Sequence, residues 1–81
     1  MQGQTPKPLP LKALATFNVA ARHLSFTIAA TELNVSRVAV SQQIKLLEEF
    51  LRAPLFVRKH RSLRLTREGE IEIAKRIEEG E

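Results

Sequence analysis

The sequence predicts a mainly α domain: three helices, then a two-stranded β-hairpin, then a last helix. Three observations predict it. Apolar residues recur at helical spacing in successive stretches between Leu11 and Leu51. Pro54 ends that pattern and is followed by two short runs of strand-favouring residues. A further helical stripe follows Thr66. With 81 residues, 43% of them hydrophobic, and no cysteine, the chain is sized for one small core of Leu, Ile, Val, Ala and Phe, without disulfides or Cys-based zinc.

Residues 1–10 hold three of the four prolines and no apolar periodicity, and read as a flexible or extended leader. Leu11, Leu14, Ala15, Phe17, Ala20 and Ala21 define the first helix, which closes in Arg22 and His23. Ser25 offers an N-cap oxygen to a second, alanine-rich helix from Phe26 to Leu33, whose small side chains suit close packing. Asn34 tolerates the left-handed conformation that ends a helix. Val35 is expected to plug the turn. Ser36 caps a third helix, with Val40, Ile44, Leu47 and Leu51 on its core line. Ala39, Leu46 and Phe50 form a second apolar strip, expected to pack against the rest of the domain. Two helices joined by a short turn in this way make the helix-turn-helix pattern.

Leu55–Lys59 and Ser62–Thr66 read as two β segments around a polar tip of His60, Arg61 and Ser62. A hairpin in this place is a wing, so the fold class is a winged helix-turn-helix spanning residues 11–66. Leu55, Phe56, Leu63 and Leu65 are expected to anchor it, leaving Arg58, Lys59, Arg61 and Arg64 to project. Thr66 then caps a linker helix over residues 67–81, with Glu68 and Glu70 at its positive end and Ile71, Ala74 and Ile77 on one face. That stripe needs a partner, either its own domain or the same helix of a second copy. A reader of a symmetric site requires two copies.

Charge turns this pattern into an expected chemistry. The net charge is +4, yet residues 52–67 hold six Lys or Arg and no acid, whereas residues 68–81 hold two against six. The third helix adds a face of its own. At 100° per residue, Arg37, Val38, Ser41, Gln42 and Lys45 fall within an arc of about 140° opposite the core line. The face has no acid and sets short donors beside Arg, which suits phosphates and base edges; Val38 can meet a thymine methyl. Double-stranded DNA with a pseudo-palindromic operator is the expected partner. A winged domain used for protein contact or RNA binding is the alternative reading.

Other classes lack their signatures. His23 and His60 have no evident nucleophile or carboxylate partner in the sequence, and no glycine-rich phosphate loop occurs, so no enzyme activity, catalytic residue, metal or cofactor is expected. No apolar run approaches the ~20 residues of a membrane span, and no secretory signal layout opens the chain. A soluble, cytoplasmic protein is expected.

The stretches SFTIAATELNVSRVAVSQQIKLLEEFL and LFVRKHRSLRLTREGE closely resemble the helix-turn-helix and wing of bacterial LysR-type transcriptional regulators. The resemblance runs from about Leu9 to Ile77, with SFTxAA, LxVSxxxVSxQIxxLE and LTxxGE in order and at the family's spacing. It implies transcriptional control, usually by a tetramer whose subunits pair through the linker helix, with an effector-binding domain downstream. It also implies DNA contacts from Ser36, Arg37, Val38, Ser41 and Gln42, and from Arg58 in the wing. These 81 residues are expected to hold no small-molecule effector site. One departure stands out: the family commonly has Leu-Gly where this chain has Leu51-Arg52, which predicts a differently shaped helix end.

Overall fold

The computed structural model describes residues 9–80, with side chains through residue 75; the leader up to Pro8, the Ile77 side chain and Glu81 lie outside the described residues. Helices α1 (Leu11–His23), α2 (Phe26–Leu33) and α3 (Arg37–Leu51) come first. Strands β1 (Phe56–Lys59) and β2 (Ser62–Leu65) follow, then α4 (Arg67–Gly80). The expected winged helix-turn-helix, three helices with a two-stranded wing and a following helix, is the architecture found.

The caps read from sequence are made. Ser25 Oγ accepts from the Ile28 amide at 3.0 Å, and Ser36 Oγ accepts from the Ala39 amide at 3.0 Å. Thr66 Oγ1 accepts from the Gly69 amide at 3.0 Å and donates to the Pro54 carbonyl at 2.6 Å. Each of the first three helices ends on a left-handed residue: Leu24 (φ 49), Asn34 (φ 59) and Arg52 (φ 58). The amide of the next residue then reaches back to the last turn: Ser25 to Ala20 O at 3.3 Å, Val35 to Ala30 O at 3.0 Å, Ala53 to Glu48 O at 3.1 Å. This is the closure that glycine usually supplies. Arg52 thus adopts the glycine-like geometry rather than reshaping the helix end, against the expectation from sequence.

Ala13, Leu14, Phe17 and Ala20 of α1 meet Phe26, Ala29 and Ala30 of α2 and Val40, Ile44 and Leu47 of α3; Leu55 closes the core from below the wing. The Phe56 ring stands edge-on to Phe17 (centroids 5.5 Å apart) and Phe26 (5.3 Å), pairs worth about 0.5–1.5 kcal/mol each beyond burial.

The core line of α1 is rotated from the one expected. Leu11 is 71% exposed and Ala15 is exposed, while Ala13 and Val19 are buried. At 100° per residue, Leu11 and Ala15 lie about 160° and 200° from Ala13, on the far side of the helix. Val35 does not plug its turn: its amide closes α2 and its side chain stays 44% exposed. Leu46 is also 47% exposed, because it sits about 120° off the Val40 line, while Ala39 and Phe50 are half-buried.

The strands pair antiparallel, Phe56 with Leu65 and Lys59 with Ser62, leaving His60-Arg61 as a two-residue turn; Ser62 belongs to β2 rather than to the tip. His60 takes φ 57, as the first central residue of a primed hairpin turn must. The first turns of α4 rest on the wing base. Gly69 is buried there, since a Cβ would lie 2.4 Å from the Leu55 carbonyl oxygen and 2.9 Å from Leu65 Cδ2.

Candidate nucleic-acid interface

On α3 the residues Ser36, Arg37, Val38, Ser41, Gln42 and Lys45 are all exposed, with Val38 at 64%. Their exposure follows from the position of the core line on the opposite side of the helix. Among the described residues, the side chains of Arg37, Ser41, Gln42 and Lys45 have no hydrogen-bond or ion-pair partner within the domain, so their donors are free for another molecule. Ser36 differs: its oxygen already accepts from Ala39, leaving its hydroxyl hydrogen to donate outward.

The pleat of the hairpin sorts the wing cations into two sets. Arg58 pairs with Leu63 and shares a face with Phe56 and Leu65; its guanidinium lies over the Phe26 ring, 5.7 Å from the centroid. Lys59 and Arg64 lie on the opposite face with Val57 and Ser62, and Arg61 sits in the turn. The four cations are therefore all exposed but do not project together.

A cleft of 410 Å³ opens between the wing and the first turn of α2, lined among others by Ser25, Thr27, Arg37, Arg58, His60 and Arg61. Among the described residues, no carboxylate lines it. Three guanidinium-bearing residues face it beside the amide end of a helix, where the backbone dipole adds positive potential. The α2 residues of this cleft were not singled out from sequence. Ser25 was legible as a cap, but its approach to Arg58 is tertiary and leaves no mark in the order of residues.

Away from this face, Glu32 accepts from the Arg22 guanidinium at 3.2 Å and lies 2.7 Å from His23 Nε2, tying the ends of α1 and α2 together. His23 therefore does have a carboxylate partner, contrary to the reading from sequence. The Glu32 carboxyl is held below its ordinary range, first by the bond to His23 and then by Arg22. Among the described residues, no group of three or more His, Cys, Asp or Glu is placed to hold a metal ion, and no helix is long and apolar enough to cross a membrane.

On α4, Ile71 and Ala74 are exposed, whereas Glu72 is buried and Ile73 packs against the core cluster. Among its described residues, α4 thus turns Glu72 and Ile73 toward its own domain and leaves Ile71 and Ala74 uncovered.

Known proteins share this architecture and sequence. Residues 11–70 match the family described as bacterial regulatory helix-turn-helix protein, lysR family. The HTH-type transcriptional activator AmpR of Providencia stuartii is 56% identical over 69 residues, covering 85% of this chain and 24% of that protein. The glycine cleavage system transcriptional activator of Escherichia coli strain K12 is 62% identical over 61 residues, covering 75% and 20%. The chain thus spans about a quarter or less of the length of these relatives. A LysR-family regulator from Eggerthella lenta superposes with a TM-score of 0.76 at 36% identity, covering 79% of this chain and 91% of that one. The BenM DNA-binding domain, solved in complex with catB site 1 DNA, superposes with a TM-score of 0.78 at 34% identity, covering 84% and 76%. On this agreement of sequence, fold and exposed basic face, the chain belongs to the LysR family of bacterial regulatory helix-turn-helix proteins.

Proposed function

We propose that the chain binds double-stranded DNA sequence-specifically to regulate transcription. Its α3 enters the major groove and its wing grips the backbone or minor groove. The observation that carries this reading is the acid-free α3 face continuing into the arginine-lined cleft, in a domain that superposes on a relative solved with DNA. Arg37, Val38, Ser41 and Gln42 read base edges, with Ser36 and Lys45 at the flanks; Arg58, Lys59, Arg61 and Arg64 engage phosphates and sugars. The chain acts without chemistry of its own, in the cytoplasm, as a homodimer paired through Ile71, Ala74 and Ile77 of α4. Two such copies on a pseudo-palindrome set their recognition helices roughly 34 Å apart.

Titration against a sequence selected from a random duplex library, random duplex DNA and duplex RNA tests the reading. Arg37→Ala is expected to cost about 1–3 kcal/mol on the selected site and to relax choice at one base pair. An equal loss on selected and random DNA removes the base-reading role. Equal affinity for RNA, or no response to salt, removes the DNA reading itself.

A further inference from the structure

Glu48 sits at the far end of the helical ridge that begins with Ser41 and Lys45, seven and three residues before it. Its side chain does not point to solvent with theirs. A single carboxylate oxygen, Oε2, accepts from the Leu55 amide at 2.8 Å and the Phe56 amide at 3.4 Å. The main-chain carbonyl of the same residue accepts from the Ala53 amide at 3.1 Å, closing α3. One residue therefore ends the recognition helix and receives the first two donors of the wing. Pro54, between them, has no amide to offer.

The Leu55 side chain is fully buried, and a buried amide without an acceptor is costly, so the wing has a strong reason to enter at the angle Glu48 dictates. Three residues further along β1 stands Arg58, laid over Phe26 at the cleft. A charge-assisted bond to the strand's root is shorter and stiffer than a neutral one.

We propose that Glu48 is the positioning residue that fixes the wing relative to the recognition helix, so that base reading by α3 and backbone contact by Arg58 occur in one register. This rests on the DNA-binding reading above. Glu48 touches no DNA in this role; it acts through Leu55 and Phe56 on Arg58.

The test compares the wild-type 81-residue chain with Glu48→Ala, Glu48→Gln and a stability control, Leu47→Val, all held well below their melting temperatures. Amide exchange at Leu55 and Phe56 is measured without DNA, and duplex affinity is measured across salt. Glu48→Ala is expected to lose protection at both amides and to flatten the log affinity against log salt slope by about 1, the equivalent of one phosphate contact. In that background, Arg58→Ala is expected to add less than a threefold loss, because the two act together. Glu48→Gln offers the same single acceptor oxygen and is expected to bind within about twofold of wild type. It keeps the comparison informative where Glu48→Ala fails to fold. Leu47→Val is expected to leave slope and Arg58 dependence unchanged.

Retained amide protection in Glu48→Ala overturns the proposal. So does an unchanged slope with full Arg58 dependence, which leaves Glu48 a purely structural role, as does a Gln variant that binds as poorly as Ala. A wild-type chain that shows no salt-dependent duplex binding overturns the DNA reading first. The amide exchange then still reports whether Glu48 holds the root of the wing.

Discussion

The guanidinium of Arg58 lies 5.7 Å from the centre of the Phe26 ring, so a wing cation is seated on the first residue of the second helix. Packing against the ring restricts a long side chain that would otherwise sweep through solvent, and it leaves the charge facing the cleft. Arg64, the penultimate residue of β2, lies on the other face of the hairpin and has no such seat. Arg58→Ala is therefore expected to weaken DNA binding by tenfold or more, about 1.4 kcal/mol, while Arg64→Ala weakens it by less than threefold. Fluorescence anisotropy on one duplex compares the two directly. Equal losses mean that the seating on Phe26 has no bearing on binding.

Arg52 holds a left-handed backbone that costs an L-residue about 1–2 kcal/mol. Glycine adopts it freely but loses more chain entropy on folding. Arg52→Gly is expected to stabilise the domain by about 0.5–1 kcal/mol, raising its melting temperature by several degrees. Urea denaturation monitored by circular dichroism measures it, and a drop in stability means that Arg52 makes a compensating contact.

Glu32 provides a pH prediction with a definite sign. Its folded-state carboxyl is depressed by His23 and Arg22, so its contribution is present above the unfolded value and lost as pH falls through the folded one. Stability is expected to decline on acidification through and below the ordinary glutamate range. The contribution is small because the pair is exposed. Melting curves of wild type and Glu32→Gln from neutral to acidic pH are expected to converge at the acid end. Parallel curves throughout rule the staple out.

The uncovered side of α4 gives an assembly prediction. Ile71 is 50% exposed, with Ala74 beside it one turn on. Burying ~300–400 Å² of apolar surface at about 25 cal/mol per Å² yields a gross gain that association entropy largely offsets. A weak dimer is therefore expected, detectable by sedimentation at high concentration. Ile71→Glu is expected to shift it to monomer without unfolding it, and a dimer unaffected by that change pairs elsewhere.

Much of this molecule was legible in its sequence because local rules decide it. Ser25, Ser36 and Thr66 announce helix starts by side-chain chemistry that acts within three residues. The line Val40, Ile44, Leu47 is fixed by helical periodicity alone, and with it the opposite face from Arg37 to Lys45. What escaped depends on where elements meet. Leu11 and Ala15 look as apolar as their neighbours, and only the docking of α2 and α3 selects the other side of α1. The bond between His23 and Glu32 joins residues nine apart, and the cleft between Ser25 and Arg58 joins residues still more distant. Periodicity does not report such pairs. Glu48 was invisible for a different reason: a glutamate late in a helix usually faces water, and only the buried amides of Leu55 and Phe56 give it a task.

Gly69 bears on how this domain can be cut and joined. Its Cα face lies against the Leu55 carbonyl, the same oxygen that accepts from the Thr66 amide at 3.0 Å. The first turns of α4 are thus a buttress of the wing, not an appendage to it. A splice point at Thr66, the natural choice from the order of elements, severs that buttress and removes the helix turn packed against the Leu55 carbonyl and the Leu65 side chain. Exchange of DNA-reading heads between regulators of this kind is best made beyond Ile73, the last described residue of α4 packed against the core, so that Gly69, Glu72 and Ile73 stay with the wing they support.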